Sequence, residues 1–174
     1  MSAILDQTPS NRNFLSPLNF KFQIKKAPHV NFFIQKVNVP AINLNPAIFP
    51  TPFSNVPLPG EHIAYGQLDI SFKVDEDLQN YLEIHNWLKA LGKPETFDQY
   101  RQISEKKSWT GDGIYSDISV MILSSTHAAN YEVVYIDAHP ILLSGLEFNT
   151  TDPDVKYIEA SASFKYNYYD ISKI

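Results

Sequence analysis

Several segments of the chain alternate between apolar and polar residues, which is the pattern of a β-strand with one buried face. The alternation predicts seven strands, at residues 18–25, 31–39, 67–74, 114–123, 131–138, 141–148 and 155–169. We expect the first two strands to form a hairpin around a turn at Pro28 and His29. Between residues 77 and 91 the apolar period changes to three and four, which predicts one amphipathic helix.

These elements predict a fold that is mainly β, a sandwich or barrel of about seven antiparallel strands with one flanking α-helix. Asp75, Glu76 and Asp77 are placed to cap the helix, and Gly92 with Pro94 is placed to end it. The 174 residues fit one domain. We expect an N-terminal arm at residues 1–13 and a single β domain at residues 14–174.

Residues 40–60 hold six of the twelve prolines in the chain. Proline lacks a backbone donor and fixes φ, so this segment is neither a central strand nor a helix interior. Phe49, Phe53 and Leu58 lie among the prolines, whereas free linkers seldom carry such apolar side chains. We therefore interpret the segment as an extended loop whose apolar residues dock on another surface of this chain or of a neighbour.

Charge is spread unevenly along the chain, whose formal net charge is −5. Residues 1–60 carry five basic residues and one acidic residue, and residues 61–174 carry nine basic and eighteen acidic residues. An acidic balance argues against sequence-independent binding of nucleic acid, which requires neutralisation of phosphates. The asymmetry could serve self-association between a basic and an acidic face, although scattered surface charge is the favoured interpretation.

A search for chemistry is mostly negative. The chain contains no cysteine, which excludes disulfides, thiolate zinc sites and cysteine nucleophiles, and it has no nucleotide-binding or hydrolase motif. Asp137 and His139 would share one face of a strand and could set up a general base, but no nucleophile completes a site. Helix capping accounts for the acidic run at residues 75–77 better than a metal site does. We expect no catalytic, cofactor-binding or metal-binding residues.

The aromatic content leaves a binding module open as an alternative. Tyr166, Tyr168 and Tyr169 lie near the end of the chain, and exposed tyrosines on strands can stack on sugars. A β-sandwich that binds carbohydrate is therefore one hypothesis. Packing in the core or in a subunit interface is the favoured interpretation, because tyrosine suits sites with one apolar and one wet end.

The order of motifs resembles the tail tube proteins of contractile-tailed bacteriophages, with a more distant similarity to the type VI secretion tube protein. A strand at residues 68–74 leads through the acidic turn into a helix that carries Trp87. Two late motifs also match, and they consist of Pro140, Leu143, Leu146 and Phe148, then Phe164, Tyr166 and Tyr168. The proline-rich segment is longer than in a plain tube subunit, and the last strand ends without tryptophan.

The resemblance implies a structural virion protein and no enzymatic activity. It implies stacked hexameric rings that form a conduit for DNA ejection, or alternatively a tube initiator, baseplate or neck ring of the same fold. The implied partners are further copies of the chain and the sheath, baseplate and tape-measure proteins, with DNA passing the lumen without specific binding and no membrane insertion. The implied location is the virion tail after assembly in the host cytoplasm. Candidate interface residues are Phe14, Phe49, Phe53 and Leu58.

Overall fold

The computed structural model describes residues 13–92, 113–151 and 157–174. Residues 1–12, almost all of the predicted N-terminal arm, lie outside the described residues. The described ranges form eleven strands and two helices. In chain order these are β1 (Phe20–Ile24), α1 (Pro28–Phe33), β2 (Ile34–Val37), β3 (Ile42–Leu44), β4 (Ala47–Pro50), β5 (Asn55–Leu58), β6 (Ile63–Tyr65), β7 (Leu68–Lys73), α2 (Gln79–Gly92), β8 (Ser116–Leu123), β9 (Ala129–Leu143), β10 (Glu159–Lys165) and β11 (Tyr168–Lys173).

Seven of these strands form one antiparallel sheet in the order β1-β8-β9-β10-β7-β2, with β11 also paired to β9. β1 and β2 lie at opposite ends and do not pair with each other, so the sheet does not close into a barrel. The mainly β fold predicted from the sequence is confirmed. We call β1, β8, the first part of β9 and β11 half-sheet A, and we call the last part of β9, β10, β7 and β2 half-sheet B.

The long strand β9 joins the two half-sheets through a bend at Asp137. This residue has a left-handed backbone with φ of 55°, and an extra residue of β9 lies opposite β8 between the pairs Ser116–Ala138 and Ile118–Tyr135. Such a bulge bends a strand and increases its twist. On the other side of β9, Asn167 donates from Nδ2 to Asp137 Oδ2 (2.8 Å). The bend therefore falls where β10 gives way to β11.

One apolar core lies between the half-sheets and the helices. Half-sheet A contributes Phe22 and Tyr135, half-sheet B contributes Phe72 and Phe164, and α2 contributes Trp87. The rings of Trp87 and Phe164 are 6.1 Å apart, and the Trp87 indole N–H donates to the Ile114 carbonyl oxygen (3.0 Å). The tryptophan thus fixes α2 against the sheet.

The predicted N-terminal hairpin is wrong. β1 pairs with β8 and β2 pairs with β7, and the short helix α1 replaces the predicted turn and the start of the second strand. Pro28 occupies the first turn of α1, where the missing N–H of proline has no helical partner to lose. Val30 is buried on the inner side of this helix.

Two of the predicted strands form a single strand in the structure, and a third predicted strand is divided into two. The predicted strands at 131–138 and 141–148 belong together in β9, which ends at Leu143. Pro140 has no N–H to donate to a β-ladder. It is tolerated inside β9 because a register shift beside it, between Ser163 and Phe164 of β10, removes the need for one donor. The predicted terminal strand is divided into β10 and β11, which pair with successive parts of β9.

The helix prediction is confirmed, but the prediction for its start is wrong. α2 begins at Gln79 and has no acidic residue in its first turn. Leu78 has a left-handed φ of 58°, and its N–H donates to the Asp75 carbonyl oxygen (2.9 Å). Asn80 bridges the junction, because its side chain accepts from Asp75 N–H (3.2 Å) and donates to the Lys73 carbonyl oxygen (2.8 Å). An amide, not a carboxylate, organises this turn.

Candidate assembly surfaces

The proline-rich segment folds back on itself as a long two-stranded arm. β3 pairs with β6 near its root and β4 pairs with β5 toward its tip. At the tip, Thr51 N–H donates to the Ser54 carbonyl oxygen (2.9 Å), and Ser54 N–H donates to Thr51 Oγ1 (3.1 Å). Prolines are tolerated in these strands because both strands of an isolated ribbon have one open edge. We call residues 42–65 the arm.

The arm is exposed, and it is apolar and uncharged from Ile42 to Gly60. No Asp, Glu, Lys, Arg or His occurs from residue 37 to residue 60. Every residue of β4 and β5 is exposed, and Phe53 at the tip is 100% exposed. An exposed apolar surface of this kind is typical of a site that contacts another protein.

The predicted interface residues divide into two groups. Phe49 and Leu58 lie on one face of the arm, because Leu58 pairs with Ala47, two residues before Phe49. Phe53 lies at the tip, and Phe14 lies outside the arm, before β1, where it is 98% exposed. The structure thus brings Phe49 and Leu58 together and leaves Phe14 apart from them. The sequence reasoning missed the root of the arm, where Ile42, Leu44 and Ile63 are also exposed.

A cluster of tyrosines holds the root of the arm. The ring of Tyr65 in β6 lies 5.5 Å from Tyr169 and 6.0 Å from Tyr166, and the Tyr169 hydroxyl donates to the Pro40 carbonyl oxygen (3.1 Å). Burial, with the negative charge that Tyr169 and Tyr65 would carry, raises the pKa of Tyr166 to about 12. Tyr166 therefore stays neutral at physiological pH, and the ring contacts with the Tyr169–Pro40 hydrogen bond hold the root of the arm against the domain.

The same cluster removes support for a sugar-binding platform. Tyr166 is buried, and its ring contacts that of the fully buried Tyr135 edge to face at 5.0 Å. Of the three terminal tyrosines only Tyr168 is exposed, so they do not form the row of free rings that stacking on sugars requires. Packing in the core, the favoured interpretation, is confirmed for Tyr166.

Within residues 13–92, 113–151 and 157–174, half-sheet A has two open edges and one face that no other element covers. β1 forms one edge and β11 the other, since each pairs with a single strand. The face turned away from the core carries Lys21 on β1, Asp117 on β8, Glu132 on β9 and Asp170 on β11. Three carboxylates and one ammonium group make this face acidic. By contrast, the edge strand β2 has only four residues and a register shift, which blunts it.

Asp137 and His139 do not form a general-base dyad, a possibility that the sequence already disfavours. The left-handed backbone of Asp137 interrupts the alternation that would place the two side chains on one face, and its carboxylate accepts from Asn167. The His139 ring stacks at 5.5 Å on Tyr115. Among the residues that the structure describes, no group of three or more His, Asp or Glu side chains could hold a metal ion. In the same part of the chain, neither helix is long and apolar enough to cross a membrane.

Chains in several solved structures are similar in fold to this protein. The chain shares its fold with chains of extracellular contractile injection systems. It superposes on a chain of the PVC sheath-tube complex, an extracellular contractile injection system in its extended state, with a TM-score of 0.59 and 11% identity over 100% of this chain and 99% of that one. A chain in the tube-terminating cap of the anti-feeding prophage matches with a TM-score of 0.61 and 12% identity over 99% of both chains.

A third chain, from the PVC sheath/tube terminator, matches with a TM-score of 0.59 and 14% identity over 93% of this chain and 99% of that one. No protein-family model and no curated protein matches the sequence. The resemblance to tube proteins that the sequence motifs predicted is therefore confirmed in the fold.

Proposed function

We propose that this protein is a structural subunit of a contractile tail or injection particle and that it assembles into stacked hexameric rings around a central channel. The observation that carries the proposal is half-sheet A, a four-stranded sheet with an open edge on each side. In a free monomer such edges are a liability, whereas copies joined edge to edge in a closed ring remove them. The role requires no catalysis.

The uncovered face of half-sheet A lines the channel in this proposal. Its three carboxylates and single lysine give it a negative balance, so passing DNA finds no continuous basic stripe that would bind its phosphates. We propose that DNA leaves the virion through this channel during ejection. The tail itself would be assembled in the host cytoplasm. Sheath, baseplate and tape-measure proteins are the further partners.

The arm joins one ring to the next in this proposal, together with residues 1–13. Its uncharged apolar side chains, including Phe49, Phe53 and Leu58, gain a partner surface only in the assembled particle. Phe14, which follows the N-terminal segment, takes the same role. Burial of one phenylalanine is worth about 1.5–3 kcal/mol.

Negative-stain electron microscopy of the full chain across a concentration series tests the function. We expect hollow tubes or stacked six-fold rings. Rings that never stack would instead indicate a tube initiator, terminator or neck component of the same fold. A protein that stays monomeric at all concentrations, and in the presence of sheath and baseplate components, would contradict the proposal.

Two variants test the stacking surfaces. Deletion of residues 1–13 should leave the domain folded and impair stacking. Phe53→Ser should raise the concentration needed for stacking by roughly tenfold or more, because one buried aromatic ring is lost at each contact. Phe32→Ser is the matched control, since Phe32 is an exposed phenylalanine on α1, outside the arm. Normal tubes from the deletion or from Phe53→Ser would remove that segment from the stacking contact.

A further inference from the structure

The direction of the backbone groups in β1 follows from one hydrogen bond at its start. Leu123 N–H of β8 donates to the Asn19 carbonyl oxygen (2.9 Å). In an antiparallel ladder the backbone groups of alternate residues point to the same side. Residue 19 and the odd-numbered residues after it therefore face β8, and the N–H and C=O groups of Phe20, Phe22 and Ile24 point away from the sheet.

One of these three outward residues already has a partner. The Asn31 side chain accepts from Ile24 N–H (2.8 Å) and donates from Nδ2 to the Ile24 carbonyl oxygen (3.1 Å). Both backbone groups of Ile24 are thus satisfied within the chain. The open part of the β1 edge consists of the backbone N–H and C=O groups of Phe20 and Phe22, which face outward.

The same reasoning applies to β11. Ile174 N–H donates to the Asn130 carbonyl oxygen (3.1 Å), so the even-numbered residues of β11 face β9. The N–H and C=O groups of Tyr169, Ile171 and Lys173 therefore point away from the sheet. This edge has no side chain that caps it in the way that Asn31 caps β1, among the hydrogen bonds of the described residues.

The two open edges have the directions that an antiparallel pair between two copies requires. Each step from β1 to β8, β9 and β11 is antiparallel, so β1 and β11 run in opposite directions and a second copy can continue the sheet as an antiparallel pair. Ladder bonds need outward residues opposite each other, and Ile24 is occupied. Two registers pair both open residues of β1 with outward residues of β11. Phe22 can face Ile171 with Phe20 facing Lys173, which sets the occupied Ile24 opposite Tyr169. Alternatively, Phe22 faces Tyr169 and Phe20 faces Ile171, which leaves Ile24 beyond the start of β11.

The second register brings two unlike charges together. Between the ladder pairs, Lys21 falls directly opposite Asp170, and both side chains lie on the uncovered face of half-sheet A. Cβ atoms of such a pair are about 4.5–5.5 Å apart. Among the described residues, neither Lys21 nor Asp170 has an ion-pair partner. The salt bridge in this part of the chain joins His29 and Glu83.

We propose that β1 of one copy pairs antiparallel with β11 of a second copy in the register that sets Lys21 opposite Asp170. This inference rests on the proposed ring assembly and specifies its lateral contact. A shift of two residues in one direction would set Ile24, with its backbone groups occupied, opposite Tyr169. A shift in the other direction would leave Phe22 unpaired at the end of β11. The charge pair and the cap on Ile24 thus select the same register.

A charge exchange tests the register. Lys21→Glu and Asp170→Lys should each raise the concentration at which rings form by roughly tenfold, because like charges then face each other at every contact. The double variant should return to within about threefold of the original. The matched control combines Lys25→Glu with Asp170→Lys. Lys25 lies beyond the end of β11 in this register, so we expect no rescue.

Cross-linking gives a second readout that does not depend on charge. The chain has no cysteine, so Lys21→Cys with Asp170→Cys introduces the only two thiols. We expect disulfide-linked ladders up to a closed ring on oxidation, and we expect Lys25→Cys with Asp170→Cys to give none. Wild-type rings with neither rescue nor cross-link would overturn the register alone. A chain that forms no rings under any condition would overturn the ring assembly as well.

Discussion

The replacement Gly60→Ala tests whether the shape of the arm matters for assembly. Gly60 lies between β5 and β6, where the backbone of Asn45, between β3 and β4, approaches it closely. A Cβ atom at position 60 would lie 1.7 Å from the Asn45 carbonyl oxygen and 2.8 Å from the Asn45 carbonyl carbon. The optimal separation of two non-bonded heavy atoms is about 3.5–4.0 Å. The backbones at positions 45 and 60 would therefore have to move apart by roughly 2 Å.

A displacement of that size is large compared with the ribbon itself, because paired strands are only about 4.8 Å apart. It would break the ladder where β3–β6 meets β4–β5 and change the direction of the tip. From Ile42 to Ala64 the arm contributes no residue to the apolar core, and Tyr65 packs against the core at the root of the arm. We therefore expect the free energy of unfolding to fall by less than about 1 kcal/mol and the melting temperature by less than about 4 °C.

The assay combines thermal unfolding by circular dichroism with electron microscopy across a concentration series. We expect Gly60→Ala to fold, to keep lateral rings and to lose stacking. Gly145→Ala is the matched control, because a Cβ atom at position 145 meets nothing within 4 Å. If Gly60→Ala stacks at the same concentrations as Gly145→Ala, the shape of the arm does not govern assembly and the reasoning fails.

Three further predictions concern stability. Tyr135→Phe should leave the melting temperature unchanged or raise it by roughly 2–4 °C, because the buried hydroxyl has no hydrogen-bond partner and its burial costs free energy; a clear decrease would contradict this. Trp87→Phe should lower the melting temperature by roughly 4–8 °C, because the Ile114 carbonyl oxygen loses its donor; an unchanged melting curve would contradict it. The hydrogen bond that His29 Nδ1–H donates to the Glu83 carboxylate raises the pKa of His29, so the pair stabilises the fold fully below about pH 6.5 and less as the pH rises through the folded-state value. Glu83→Gln should flatten this pH dependence in melting curves between pH 5 and pH 9, and an identical profile would show that the pair does not contribute.

The local elements of this protein could be predicted from its sequence because their signals are local. Alternation over β7, β8 and β10 identifies the residues that face the core, since side chains on a strand point to opposite faces in turn. The change of period at α2 is equally clear. The concentration of prolines among Phe49, Phe53 and Leu58 predicted an extended segment that docks on another surface of this chain or of a neighbour. Three of the four candidate interface residues belong to the arm.

Pairing was decided only by the tertiary structure, because alternation tells which face of a strand is buried and not which strand lies beside it. β1 and β2 are neighbours in the chain, but they pair at opposite ends of the sheet. The bend at Asp137 lets one strand serve both half-sheets, and no local pattern distinguishes that bulge from a strand end. The open edges of β1 and β11 follow from these pairings. Hence the sequence determined what is buried, and the fold determined which backbone groups remain for another copy.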